Sequence, residues 1–494
     1  MTVRTVRNYV GGKWLDSPAG EHLDVHNPST AEVIARVPLS SAAEADAAIE
    51  AAAAAFESWS ATPVARRCET LFKLTGLLRD HAEEIARTLV QEMGKSLPDA
   101  RAELKRAIEN CQVACGMPVM QQGDALSGVS AGIDGEVIRL PLGVFAGIAP
   151  FNFPAMVPFW FLPYAIATGN TFVLKPSERV PCTMERITHY MDQAGLPEGV
   201  FNLVNGDKVV ANAFMDSALV QGVCMVGSTA VCRLVAQKCA QTNKRFQALG
   251  SAKNHLVVMP DAKIEHVVRN MITSCFGCAG QRCMAAAAIV CVGEATYKQV
   301  VERFVAAARN VPIGDPLDPA YADEEVLIGP VISAAAKQRI LSLIADGAAE
   351  GATLALDGRG AVVKGREQGY FIGPTVFADV QPGMKVHRTE IFGPVVVILQ
   401  ADSLDQAIGI VNDHEYGNGA SIYTQNGHYA RRFKLEARAG MIGVNVGIPA
   451  PAAYLPFGGM KASIFADVKT QAKAAVRFFT DEKIVTARFW PEEG

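Results

Sequence analysis

Cys283, within Phe276-Gly277-Cys278-Ala279-Gly280-Gln281-Arg282-Cys283-Met284, is the residue of this chain best suited to act as a nucleophile. A thiolate is the reactive form of cysteine, and the neighbouring Arg282 guanidinium favours it over the thiol. Upstream, Ile264, Val267, Val268, Met271, Ile272, Cys275, Phe276 and Ala279 recur at helical spacing, and Gly280 is the expected stop. Residues 285–292 read as a buried strand, so Cys283 falls on a short connection between two anchored elements. Read alone, it is also compatible with one more small buried hydrophobe, the usual fate of a free cysteine. A metal centre built from Cys275, Cys278, Cys283 and Cys291 is not expected. Two of the four lie in the helical pattern, one in an apolar strand, and no histidine is near.

Two further segments follow strands and open onto helices or turns. Gly227-Ser228-Thr229 leads from a strand at 222–226 into a helix from Ala230, a geometry in which backbone N–H groups bind phosphate. Lys175-Pro176-Ser177-Glu178 follows a strand at 171–174 and offers a cation and a carboxylate to ribose hydroxyls. Each is also readable as a turn with a helix cap, the reading favoured for residues 175–178 in isolation, and no Gly-x-Gly-x-x-Gly fingerprint occurs anywhere.

The elements that must carry these residues alternate along 494 residues, enough for two or three domains. Strands are expected at 143–149, 171–174, 200–204, 222–226, 255–259, 285–292, 351–356 and 395–400. Helices fall between them, including an alanine-rich one at 42–59 and a long pattern at 63–90. That order implies parallel sheets with crossover helices, hence an α/β protein with two doubly wound units. Residues 136–140, 476–479 and 483–488 read as exposed strands outside either core, suited to a sheet completed by another subunit.

Half the residues are hydrophobic, 19% are charged and the net charge is −4 without long charged blocks, which disfavours nucleic acid and anionic membranes. Residues 140–174 carry no charge, but Pro141, Pro150, Pro154, Pro158 and Pro163 fit short strands and turns better than one membrane-spanning helix. Eleven scattered cysteines and an N-terminus without an apolar signal core lead to the expectation of a cytoplasmic protein with free thiols.

Together these segments resemble the aldehyde dehydrogenase superfamily over residues 8–490. The resemblance rests on five motifs in order: Pro150-Phe151-Asn152-Phe153-Pro154, Leu174-Lys175-Pro176-Ser177-Glu178, Val226-Gly227-Ser228-Thr229, Gly280-Gln281-Arg282-Cys283 and Glu390-Ile391-Phe392-Gly393-Pro394. It implies an NAD-binding domain (1–120 and 142–250), a catalytic domain (251–455) and a β-flap (121–141 and 470–494) that builds a homo-oligomer, dimer or tetramer. It makes Cys283 the nucleophile, with the Asn152 amide and the Cys283 backbone N–H as oxyanion donors. Coenzyme contacts would fall on Phe151, Lys175, Glu178, Arg179, Gly227, Ser228, Glu390 and Phe392.

Hydrolytic members of the superfamily carry a water-activating glutamate in a segment that here reads Gln247-Ala248-Leu249-Gly250-Ser251-Ala252-Lys253-Asn254-His255. No Asp or Glu occurs between Asn243 and Asn254. Without a local base, a thiol is a better second nucleophile than water. Ala-Lys-Asn-His, the Phe-Asn-Phe-Pro-Ala-Met-Val-Pro stretch and Gly-Gln-Arg-Cys-Met-Ala resemble the CoA-acylating methylmalonate-semialdehyde dehydrogenases. That resemblance implies a small carboxylated aldehyde, NAD, coenzyme A as acyl acceptor and loss of CO2. Arg106 and Arg282 match arginines that hold the substrate carboxylate, a task suited to a planar fork. The sequence departs from the subfamily at Ser251 (usually glycine), Cys278 (alanine), Gly447 (proline), Met460 (tryptophan) and Ala466 (glycine). A CoA-independent enzyme for a larger or aromatic aldehyde is the competing reading.

Overall fold

The computed structural model describes residues 3–321 and 327–490. Two sheets dominate it. In the first, Phe201–Leu203, Thr171–Lys175, Val144–Ile148, Val220–Val226 and Arg245–Leu249 run parallel in that spatial order. Asn8–Val10 and Lys13–Leu15 extend one edge, and the short strand Ile464–Phe465 closes the other, antiparallel. The second sheet orders Thr353–Leu356, Thr375–Ala378, Val395–Ala401, Ala286–Val292, Asn254–Val258, Gly419–Tyr423 and Met441–Val444, parallel but for the first. Their central strands are buried but for Ala287 and Gln400, so they read as near-continuous apolar runs, and helices cover them. The chain passes from Leu249 in the first sheet to Asn254 in the second with residues 250–253 between them. That short passage brings Ser251 and Lys253 to the seam.

Local signals explain where the elements begin and end. Ser41 and Glu44 form a reciprocal capping box at the start of Ala42–Ala61. The long helical pattern at 63–90 resolves into Val64–Asp80 and Ala82–Met93, parted at His81. Ala82–Met93 ends on Gly94 at φ 85°, where an added Cβ would lie 2.6 Å from Pro330.

Two expectations are corrected. Residues 476–479 are not an exposed strand: they end the helix Ala472–Phe479, whose Ala472, Ala475, Val476 and Phe479 are buried. These positions stand at i, i+3, i+4 and i+7, a helical stripe, whereas a four-residue window satisfies either period. Phe479 packs edge-on against Phe145, with ring centroids 4.8 Å apart. The helix through Ala279 also stops early, at Phe276.

A third, three-stranded antiparallel sheet joins Ala125–Ser130, Ile133–Pro141 and Thr480–Ala487. No helix among the described residues is long and apolar enough to cross a membrane.

Candidate active site

Helix Ile264–Phe276 gives way to a tight turn in which Cys278, Ala279 and Gly280 all take left-handed backbone, φ 56°, 52° and 71°. Two consecutive non-glycine residues there cost on the order of 1 kcal/mol each or more, so the surroundings must hold them. They do so from three sides. The Cys278 N–H donates to Asp99 at 3.0 Å, the Gln281 N–H to the Cys278 carbonyl at 3.0 Å, and the Ile332 N–H to the Gln281 side chain at 3.0 Å. Gly280 is required: a Cβ there would sit 2.0 Å from the Gly393 carbonyl. This close approach packs the cysteine turn directly against the Glu390-to-Pro394 segment.

Cys283 follows this turn and lines two cavities at once. Its carbonyl accepts from the Asn254 and Asn418 side chains at 2.9 and 3.0 Å, which fixes the backbone at the nucleophile. The thiol itself is not activated in this state. Burial, and then the Glu390 charge, push it up to about 12, against the opposite pull of its own and the Met284 backbone N–H and of Arg282. Arg282 favours the thiolate, as its place beside Cys283 suggests, but burial outweighs it. The guanidinium is turned to Asp99, with Nη2 2.5 Å from the carboxylate, and part of its field is cancelled there.

Asn152 is buried beside it, and its amide nitrogen donates to the Gln281 carbonyl at 2.9 Å. One N–H of the amide is thus used for orientation, and the second remains for a developing oxyanion. The Asn152 segment is pinned from behind by a buried ion pair. Lys95 lies 2.5 Å from Glu103 and donates to the Asn152 carbonyl at 2.6 Å. Glu103 also accepts from the Ala155 and Met156 N–H groups, at 2.8 and 3.1 Å. Breaking such a pair costs about 3–5 kcal/mol, because the remaining charge is left buried.

The larger cavity, about 630 Å³, runs along the carboxyl ends of the first sheet. It brings together Phe151, Asn152, Lys175, Glu178, Gly227, Ser228, Glu390 and Phe392. Lys175 is buried and tied to the Pro176 and Gly206 carbonyls, with Glu178 3.2 Å away; burial holds its ammonium below its usual range. Ser228 is the N-cap of Thr229–Gln241 and makes no side-chain capping bond, so its hydroxyl and the helix dipole face the cleft together. Glu390 accepts from the Ala252 N–H at 2.9 Å, and burial raises its carboxyl. Arg179 is placed differently from the other coenzyme candidates. It is exposed and lines a neighbouring cavity with Asp24, His26 and Tyr370.

The smaller cavity, about 180 Å³, contains both predicted arginines, Arg106 and Arg282. Its remaining lining is mostly apolar, with Phe153, Met156, Trp160, Ile448 and Phe457. Both cations have carboxylate partners, Arg282 in Asp99 and Arg106 in Glu109 at 2.9 Å.

Several positioning residues escape sequence reasoning. Asp99 reads as an ordinary first-turn acid after the Ser96 cap, and its partner Arg282 lies far along the chain. Lys95 and Glu103 give no sign of being buried. Asn254 is visible within the Ala-Lys-Asn-His segment, and Asn418 in Tyr-Gly-Asn-Gly could have been found as a polar residue flanked by glycines. Among the described residues, no cluster of histidine, cysteine or acidic side chains is arranged to hold a metal ion.

Known proteins share this fold. The model of the aldehyde dehydrogenase family matches residues 14–485. Malonate-semialdehyde dehydrogenase 1 of Geobacillus kaustophilus is 45% identical over 484 residues, covering 98% of each chain. Malonate-semialdehyde dehydrogenase 2 of Bacillus anthracis is 45% identical over 99% of this chain and 100% of its own. The structure of methylmalonate-semialdehyde dehydrogenase from Oceanimonas doudoroffii superposes with a TM-score of 0.96 at 39% identity, covering 99% of both chains. A provisionally named methylmalonate-semialdehyde dehydrogenase from Sinorhizobium meliloti, solved in complex with NAD, gives 0.96 at 41% identity with the same coverage. With the thiol, the amide and the two cavities in place, this chain belongs to the aldehyde dehydrogenase family.

Proposed function

We propose that this enzyme oxidises a small carboxylated aldehyde of the malonate or methylmalonate semialdehyde type with NAD, through a Cys283 thioacyl-enzyme. The acyl group then passes to coenzyme A, with loss of CO2. The observation that carries the reading is the place of Cys283, shared by a cleft suited to a dinucleotide and a cavity holding two arginines.

The larger cleft fits NAD in its donors: a lysine–glutamate pair for ribose hydroxyls, an uncapped helix N-terminus for phosphate, and Glu390 for the second ribose. NAD, when bound, supplies the hydride acceptor. The chain's own residues do the rest. Cys283 Sγ adds to the aldehyde carbon, and the Asn152 amide and Cys283 N–H receive the negative charge that builds on oxygen. Arg282 and Arg106 orient the substrate's carboxylate, which requires Arg282 to share its fork between Asp99 and the incoming anion. Once the thioester has formed, the segment 243–254 offers no acid to activate water, which leaves the acyl group to a thiol. Loss of CO2 is then eased by the thioester carbonyl, which lies β to the carboxylate and can take up the electrons as an enolate.

The apolar lining of the smaller cavity, and the carboxylate partner on each arginine, favour as a second reading a larger aldehyde oxidised without coenzyme A. Stopped-flow NADH formation from malonate semialdehyde distinguishes the two. The account predicts one NADH per site without coenzyme A and sustained turnover with it. Full turnover at an undiminished rate without coenzyme A contradicts it.

The three-stranded sheet supports a homo-oligomer. Leu126, Val129 and Ile484 are exposed on it, and Thr480–Ala487 is an edge strand with one side unpaired.

A further inference from the structure

One face of a single helix carries much of the polar lining of the smaller cavity. Ser96 caps Leu97–Ala114, and Asp99, Glu103, Arg106 and Asn110 follow at helical spacing, all lining that cavity. Glu103 is taken up by Lys95 and two backbone N–H groups. Asn110 is taken up by the Arg106 carbonyl and the Tyr164 hydroxyl, each at 3.0 Å. Asp99 divides its two oxygens between two tasks. Its Oδ2 accepts the Cys278 N–H at 3.0 Å, and its Oδ1 takes Arg282 Nη2 at 2.5 Å.

The second task sets Asp99 against the substrate, whose carboxylate is assigned to the same guanidinium. Both are planar acceptors of the same charge-assisted bonds, so they compete for the same donors. The Asp99–Arg282 pair is largely enclosed, with side chains 15% and 23% exposed. The Arg106–Glu109 pair, at 44% and 31%, is more open to screening by water. Asp99 is also fixed in place. It stands in the first turn of its helix, where the dipole favours a negative charge, and its own N–H is held by Ser96 Oγ at 3.2 Å. Arg282 is held less firmly, since its other side-chain bond, from Nη1 to the Thr273 carbonyl, is long at 3.4 Å. Gly277 gives the guanidinium its room: an added Cβ would lie 2.5–2.6 Å from Nη1, Cζ and Nη2. The arginine is therefore the partner that can shift.

We propose that Asp99 is a specificity-determining residue that acts through Arg282 as an internal carboxylate, occupying the guanidinium in the free enzyme and yielding it only to a ligand that bears a carboxylate. The proposal rests on the carboxylated-aldehyde reading and adds the group that sets how tightly such a substrate is held. Only hydrogen bonds change in the exchange. Oδ1 gives up part of the guanidinium while Oδ2 stays on the Cys278 N–H, so the left-handed turn before Cys283 keeps its support. An aldehyde with an uncharged tail has nothing to draw Arg282 from Asp99, and it meets a closed ion pair instead.

A merely structural Asp99 predicts the opposite sign. If Asp99 only aimed Arg282, its loss would weaken carboxylate binding; if it competes, the loss of its charge strengthens that binding. Asp99→Asn keeps an oxygen for the Cys278 N–H and removes the charge. Two quantities are read. One is the ratio of KM for propanal to KM for malonate semialdehyde, with NAD and coenzyme A present. The other is the propanoate concentration that half-protects Cys283 from iodoacetamide in the free enzyme. In Asp99→Asn the ratio is expected to rise about tenfold and the half-protecting concentration to fall by a similar factor. Either quantity unmoved, or moved the other way, overturns the proposal. The gain must also vanish when Asp99→Asn is combined with Arg282→Gln, and a gain that survives there overturns the proposal as well. Asp99→Ser removes the same charge and carries the same expectation if Asp99→Asn does not fold. Failure of the carboxylated-aldehyde reading is distinguishable, because the wild type would then handle propanal and malonate semialdehyde alike and gain no protection from propanoate.

Discussion

Asn152 is oriented before any substrate arrives: its amide is on the Gln281 carbonyl, and its own carbonyl is on the buried Lys95. Preorganisation of this kind is what makes an oxyanion donor effective, since no reorganisation is required as charge develops. Asn152→Ala should slow acylation by about 10²–10³-fold, or ~3–4 kcal/mol, read as the rate of the NADH burst. An unchanged burst rate removes Asn152 from that role. At this scale the sequence revealed the reacting groups better than their supports. Cys283, Asn152, Glu390 and Arg282, each in a short motif, line the two cavities, as does Arg106, which only the family resemblance pointed to. The state of the thiol was not legible. Adjacent arginine suggests a thiolate, but burial and the Asp99 partner come from residues remote in sequence, and burial outweighs the guanidinium.

The cysteine turn meets the 390–394 segment through a close approach of backbone to backbone at Gly280 and Gly393. Gly280 and Gly128 have nearly the same backbone, φ 71° and 70°, but an added Cβ meets the Gly393 carbonyl at 2.0 Å in the first and nothing within 4 Å in the second. Gly128→Ala should therefore show the conformational cost alone, about 1 kcal/mol, and Gly280→Ala a further ~1–3 kcal/mol from the clash. Urea denaturation checks this, and equal losses at the two positions would contradict it. The same turn shows why the helix boundary was misread. Cys275, Phe276 and Ala279 are all buried, so the apolar pattern runs on after the helical backbone has ended. Apolar periodicity records which residues face a core, and a left-handed turn can bury a residue as well as a helix can. The strands were easier to read, because central parallel strands are apolar on both faces and are bounded by glycine or proline.

At the scale of the whole molecule, two α/β units share one seam, and residues 250–253 cross it. The Ala252 N–H thereby meets Glu390, and Lys253 meets the Val386 and Thr389 carbonyls just before it. The third sheet exposes the apolar side chains Leu126, Val129 and Ile484, which the proposed homo-oligomer would cover. Ile484→Lys should reduce the assembly size measured by light scattering, and an unchanged mass places the interface elsewhere. The central claim is that the acyl group rests on Cys283 and waits for a thiol. Mass spectrometry of enzyme quenched after mixing with NAD and malonate semialdehyde tests it most directly. The account predicts an acyl adduct on the Cys283 peptide, stable without coenzyme A and discharged as acyl-CoA on its addition. Sustained NADH formation without coenzyme A and with no adduct at Cys283 would contradict it.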